Sequence, residues 1–527
     1  MKGFVKRLWS RRWVRGCVWT LVTILTLLIL VRQYIGWSGA RRWAAVQQML
    51  SREGETLDIR AIASEPVPDD QNFCTIPLLK DAPFDYDFGA GRDGESAKRR
   101  KLVLVGQVIG VAGSGDHSLP FLPGARLGAP TDLGAWAQRL REQGQIPVPN
   151  TDEPAPDLFA ALSADQPIIG ELAAGLRRPE SQWTPTWRTL DLPEPLYTIR
   201  IPQYGVGLKL VAMLSLRSAA AARSGDAANA HQSLLIATRL NQANLDGPFI
   251  IAPVSAAANS AAICGALWEL CDSHSGTEDQ FHLLQQQLAR LDYRRSWLQA
   301  ARGELAAAAN DVQWMKRRED RKARNIVIEM SAMAPRWGLI ALLLQPHVMP
   351  GGWFDANMAV IAQRQLEYCI KPLRDGGFRD CLAGVARLDE VLAQSARHPW
   401  CHSDQLLAAA LEGNYHMALC RAVYAQALVN EAIAACALER YRIEHGAYPD
   451  TLDAANHPGE PAIPLDPISG KSMGYRKTPD GRYALWSVGF DGVDHGGVRV
   501  LDKDRPEHTK FYDPHYSGDW VWDFTSS

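Results

Sequence analysis

The stretch that decides the fold is Tyr415-His-Met-Ala-Leu-Cys-Arg421-Ala-Val-Tyr-Ala-Gln-Ala-Leu-Val-Asn-Glu431-Ala-Ile-Ala-Ala-Cys-Ala-Leu438, continued by Glu439-Arg440-Tyr-Arg442-Ile-Glu444-His-Gly446-Ala-Tyr448-Pro449. Arg421 and Glu431 are the formal charges in its first part, and Ala, with Leu and other apolar residues, dominates the rest. That composition predicts a helix buried on most sides. Charge returns at Glu439, Arg440, Arg442 and Glu444, Gly446 suits a left-handed C-terminal cap, and Pro449 cannot continue the helix. Beyond it, Tyr475 and Tyr483-Ala-Leu485-Trp-Ser-Val488 read as two short strands, with Lys477-Thr-Pro-Asp-Gly481 as the turn between them. A spine helix over about 414–445 followed by a small antiparallel sheet makes the chain α+β, predominantly α.

Three further motifs surround those strands. They are Gly446-Ala-Tyr448-Pro449-Asp-Thr-Leu452, Leu465-Asp466-Pro467-Ile-Ser-Gly470, and Ser487-Val-Gly489-Phe-Asp491-Gly492-Val-Asp494-His-Gly496-Gly497. Together with the helix they resemble the C-terminal domain of the major pseudopilin of type II secretion systems, over roughly 414–523. The resemblance implies an architectural domain: a long helix, a Gly-x-Tyr-Pro loop, an Asp-Pro turn, a hairpin and a Ser-x-Gly-x-Asp-Gly loop. It also implies calcium in that last loop, with Ser487, Asp491 and Asp494 as ligands and Asp502 and Asp504 following where further acids are expected. Calcium takes about six to eight oxygens, which clustered carboxylates and a Gly-rich loop can supply. Val498-Arg-Val-Leu501 interposes a basic and apolar stretch that the family pattern lacks. The N-terminus departs too: Gly3-Phe4 is followed by Val5-Lys6-Arg7, and no acidic residue precedes Glu53. The chain reads as a borrower of the domain and not as a processed pilin subunit.

The N-terminus sets the compartment. Residues 16–31 carry no charge, and the apolar run continues past Arg32 to Trp37. About 22 residues suffice for a hydrocarbon core of about 30 Å. Lys2, Lys6, Arg7, Arg11, Arg12 and Arg15 precede the run, and this cation excess puts the N-terminus in the cytoplasm. The competing reading is a cleaved signal peptide ending at Ser38-Gly39-Ala40. The organisation expected is a cytoplasmic tail over 1–15, an anchor over 16–37, a loop-rich region over 38–200, a helical domain over 201–410 and the pseudopilin-like domain over 411–527.

Composition is that of an ordinary globular protein, with 46% hydrophobic and 22% charged residues, and a net charge of −2 gives no basis for nucleic-acid binding. Nine cysteines without a CxxC argue for buried thiols with one or two disulfides. In the helical region, 208–223 and 226–244 form a hairpin joined at Ser224-Gly225-Asp226, with Asp226 capping the second helix. Gly225, Ala230, Leu234 and Ala237 fall at the offsets of a tetratricopeptide second helix, which the hairpin resembles without a second copy at that period. Further helices are expected over about 254–272, 278–313 and 358–394. Trp337-Gly-Leu-Ile-Ala-Leu-Leu-Leu-Gln-Pro346 reads as a buried helix too short to span. Lys101-Leu-Val-Leu-Val-Gly-Gln-Val-Ile109 is a strand candidate, and the Gly110–Gly115 loop after it lacks the spacing of a phosphate cradle.

Strong catalytic signatures are missing: the Gly470-Lys-Ser-Met-Gly474 string follows an Asp-Pro turn and leads into a strand, not from a strand into a helix as a nucleophile elbow does, and there is no His-Glu-x-x-His and no Ser-x-x-Lys with its partner motifs. His398 and His402 flank Cys401, but Pro399 breaks the helix that would align them. The reading favoured is a membrane-anchored extracytoplasmic scaffold with protein partners, possessing no enzyme activity and serving secretion. The alternative is a periplasmic hydrolase whose site assembles from distant residues of the helical domain.

Overall fold

A computed structural model describes residues 12–80, 130–144, 146–164, 166–183, 201–316, 350–397, 405, 407, 415–500 and 511–524. Outside those residues fall the 101–109 strand and its loop, the 337–346 run, the His398, Cys401 and His402 group, and Asp502 and Asp504. The longer helices are α1 (Arg12–Arg52), α2 (Leu133–Gln143), α3 (Pro154–Leu162), α4 (Gln166–Gly175), α5 (Pro202–Arg223), α6 (Ala227–Leu245), α7 (Ile251–Asp272), α8 (Glu278–Leu288), α9 (Tyr293–Lys316), α10 (Gly351–Arg364), α11 (Phe378–Arg397) and α12 (Tyr415–His445). Three strands, β1 (Gly474–Lys477), β2 (Tyr483–Ser487) and β3 (Trp520–Trp522), form an antiparallel sheet in that order. The described residues are predominantly helical with one small sheet, as the sequence implies.

α1 has two halves of different chemistry. In the first, Trp13, Trp19, Leu25, Leu28, Leu30, Tyr34 and Trp37 all stand exposed. The hydroxyls of Thr20, Thr23 and Thr26 donate to the carbonyls of Gly16, Trp19 and Val22 at 3.0, 2.9 and 2.8 Å, which hides the polar groups of an apolar helix. In the second half, Trp43, Val46 and Leu50 recur at helical spacing and are buried, and α1 packs along α10. The two backbones touch: a Cβ on Gly39 would lie 1.7 Å from the Gly352 carbonyl oxygen, and one on Gly352 would lie 2.1 Å from that of Gly36. Past the helix end, Glu55 is held by Arg302 at 2.7 Å and Arg374 at 3.1 Å, and Glu53 by Lys371 at 2.6 Å and Arg374 at 2.9 Å.

The body is built on α5, α6 and α7, which pack on one another, while α7 and α8 both pack on α12. The α5–α6 hairpin turns at Gly225, whose φ is +79°, and Asp226 caps α6 by accepting from the Asn229 N–H at 3.1 Å. α7 approaches closely because Ala252, Ala256, Ser260, Gly265 and Ala266 line its buried surface. Two helices expected to be continuous are broken. The 278–313 helix divides between Leu288 and Tyr293: Leu291 is buried, the Tyr293 N–H donates to the Gln426 side chain at 2.8 Å, and Asp292 caps the new start through the Arg295 N–H at 2.9 Å. The 358–394 helix widens into a π turn at Gln365–Ile370 just before Pro372, which has no N–H to give. It then ends at Gly376 and restarts where Asp380 accepts from the Gly377 N–H at 3.2 Å.

α12 is the spine expected. Gly446 closes it with φ +78°, and its N–H returns to the Arg442 carbonyl at 2.8 Å. Its cover comes from the strands on one side and from α7 and α8 on the other. The Trp268 indole of α7 donates to the Asp523 carbonyl at 2.8 Å, and Arg482 bonds Asp272 at 2.8 Å. One hydrophobic core therefore runs from Trp43 to Trp522. Each fully buried Leu or Val contributes about 1.5–3 kcal/mol to it. The eight described cysteines are free, seven of them buried, so among the described residues no disulfide forms.

Candidate functional site

The sequence nominates the loop after β2. Ser487 ends β2 wholly buried, and its N–H donates to Glu431 Oε1 of α12 at 3.2 Å. The next residue, Val488, donates to Asp466 Oδ2 at 3.1 Å, while Asp466 Oδ1 accepts from Ile468 and Ser469 at 2.9 and 2.6 Å. The Asp-Pro turn is thereby fastened to the strand. Ser487 Oγ and Glu431 Oε2 are buried with no hydrogen-bond partner among the described residues. Burial drives the Glu431 carboxyl well above its ordinary range, with Asp466 and Asp523 adding to the rise and Arg499 and the Ser487 N–H opposing it.

The loop itself is held by N–H donors. Asp491 accepts from the Val493 N–H at 3.0 Å and pairs with His495 Nε2 at 3.0 Å, which raises the imidazole's pKa. Asp494 Oδ1 accepts from the Gly496 N–H at 2.8 Å and the Trp486 indole at 2.9 Å, and both hold its carboxyl below the usual range. Reasoning from sequence missed the residue at the centre, Asp519. It is fully buried and accepts from the N–H groups of His495, Gly497 and Val498 at 3.3, 2.7 and 3.3 Å. It lies more than twenty residues away in sequence, and no local motif announces it. Among the described residues, no three His, Cys, Asp or Glu side chains gather into a set suited to a metal. A calcium ion at Asp491 would compete with His495 for Oδ2, and Ser487 is tied through its N–H to Glu431 of α12.

A second feature is a cleft of about 540 Å³ between α8, α12 and the chain around Pro461–Pro467, reaching Arg294 and Phe378. Glu460 on its rim is paired with Arg440. Arg440 donates to Glu278 at 2.7 Å, to Gln285 at 2.9 Å and to both Glu460 oxygens at 2.7 and 2.9 Å. That contact keeps the Glu460 carboxyl below the usual range. Gln426 donates to Asn430, which donates to the Leu465 carbonyl, each at 2.8 Å. Leu288, Leu291, Ile433, Pro461 and Pro464 supply apolar wall. A carboxylate locked to an arginine serves poorly as a general acid or base near neutral pH; His282, 3.4 Å from Glu460, and Asp292, which caps α9, also line the cleft. No family model, curated protein or solved structure matches this chain.

Proposed function

We propose that this chain is a membrane-anchored extracytoplasmic scaffold that binds other proteins, with its N-terminus in the cytoplasm and its body in the periplasm of a bacterial inner membrane. The observation that carries the reading is α1, whose exposed apolar half, from Trp13 to Trp37, runs without a break into a half that belongs to the core. A row of large apolar side chains facing outward on all sides suits lipid and not water. α5 and α7 are also long and apolar enough to cross a bilayer, but they lie mostly inside the protein, whereas the apolar window of α1 is 0% buried. The cations before the run support the orientation. The apolar walls of the cleft support a binding role, and the pseudopilin resemblance supports a link to secretion. A reporter active only outside the cytoplasm, fused after Ser527, is expected to be active, and the chain is expected to remain in membranes through a carbonate wash. Release of the intact chain by carbonate would overturn the anchor.

A further inference from the structure

The place where α1 enters the body sets the height of the body above the membrane. Gly16 to Gly36 spans about 30 Å at about 1.5 Å per residue, the thickness of a hydrocarbon core. Gly36 and Gly39 are also the residues whose backbone meets Gly352 at the start of α10. Trp37 is exposed at this level with the Arg41 guanidinium 5.4 Å from its ring, an aromatic and a cation of the kind found at a bilayer interface. Beyond Trp37 the outward face of α1 turns small and polar at Ala40, Arg41, Ala44, Gln47 and Gln48.

No stalk separates the two halves. α1 is one helix to Arg52, its core face holds Trp43, Val46 and Leu50, and the Glu53 and Glu55 ion pairs fix its end. On the anchor reading, from which this step follows, we infer that the body rests directly on the outer leaflet, with the start of α10 in the lipid headgroup layer as a second membrane contact beside α1. Lys316 suits that layer: it reaches Asp355 of α10 at 2.7 Å, and its aliphatic stem passes Gly351. The body then has one fixed orientation to the bilayer.

Depth measurement tests this in the full chain carrying Cys17→Ser and Cys401→Ser, the remaining cysteines being buried. Leu25→Cys, Gly351→Cys and Lys477→Cys are labelled singly with a fluorophore and reconstituted into phosphatidylcholine–phosphatidylglycerol vesicles. Among the described residues, a Cβ at Gly351 meets only the Lys316 side chain, at 3.1 Å, which can move aside. Lipid carrying a headgroup nitroxide is expected to quench the Gly351 probe and leave the Lys477 probe bright, while an acyl-chain nitroxide quenches the Leu25 probe. A Leu25 probe quenched by lipid beside a Gly351 probe quenched only by aqueous iodide would overturn the docking and leave the anchor standing. Failure of lipid to quench either probe would overturn both.

Discussion

Replacing Glu431 by Gln should change how stability depends on pH, and by an amount that the burial of this one carboxyl sets. Glu431 is fully buried on α12, and burial raises its pKa well above the ordinary value of 4.5. The unfolded chain loses this proton near 4.5; the folded chain holds it to higher pH. Folding therefore takes up a proton between the two values. The contribution is complete below about pH 4.5 and is lost as pH rises through the folded value, at about 1.4 kcal/mol per pH unit. Glu431→Gln keeps an oxygen for the Ser487 N–H, but where neutral Glu431 carries a single O–H at Oε2, which has no partner among the described residues, the amide puts two N–H donors, one unmet donor more. An unmet buried donor costs about 1–3 kcal/mol. The variant should begin less stable than wild type near pH 4.5 and overtake it about one to two pH units higher. Urea unfolding of both full chains in detergent, from about pH 4.5 to about pH 8, reads this as the difference between the two stabilities, in which groups the substitution leaves alone cancel. The groups facing Glu431 are Asp466, Asp523, Arg499, Tyr424 and Cys264; a coupled neighbour would bend the line without flattening it. A difference independent of pH across that range would refute the neutral, buried carboxyl.

Three further outcomes are expected. Ala435→Asp puts an unpaired charge where α12 is fully covered, so it should cost several kcal/mol; a melt within a degree of wild type would mean that this face is open. Gly39→Leu drives a side chain into the Gly352 carbonyl and should destabilise the body by a few kcal/mol; an unchanged unfolding midpoint would mean that α1 and α10 do not touch. Calcium bound through Asp491 and Asp494 would displace His495 and raise the melting temperature relative to chelator, and Asp491→Ala would abolish the increment. Coincident curves would leave the hydrogen-bonded loop without an ion.

The sequence by itself determined the elements whose causes are local. The small apolar residues of 415–438 make a helix wherever they are placed, Gly446 and Pro449 end it, Asp226 caps α6 from three residues away, and Gly481 turns β1 into β2 with φ +80°. The exposed apolar half of α1 was legible for the same reason, since it needs only its own composition. Tertiary structure decided what depends on pairs distant in the chain. β3 is three residues long and exists because Leu485 and Ser487 of β2 supply its partners. Gln426, on α12, occupies the Tyr293 N–H at the break that separates α8 from α9. Asp519 gathers the N–H groups of a loop that begins with acids of its own, and Gly352 meets Gly36 and Gly39 across more than three hundred residues. A hydrogen bond or a backbone contact across such distances leaves no periodicity or turn signal in either segment, because each end is chosen by the shape of the other.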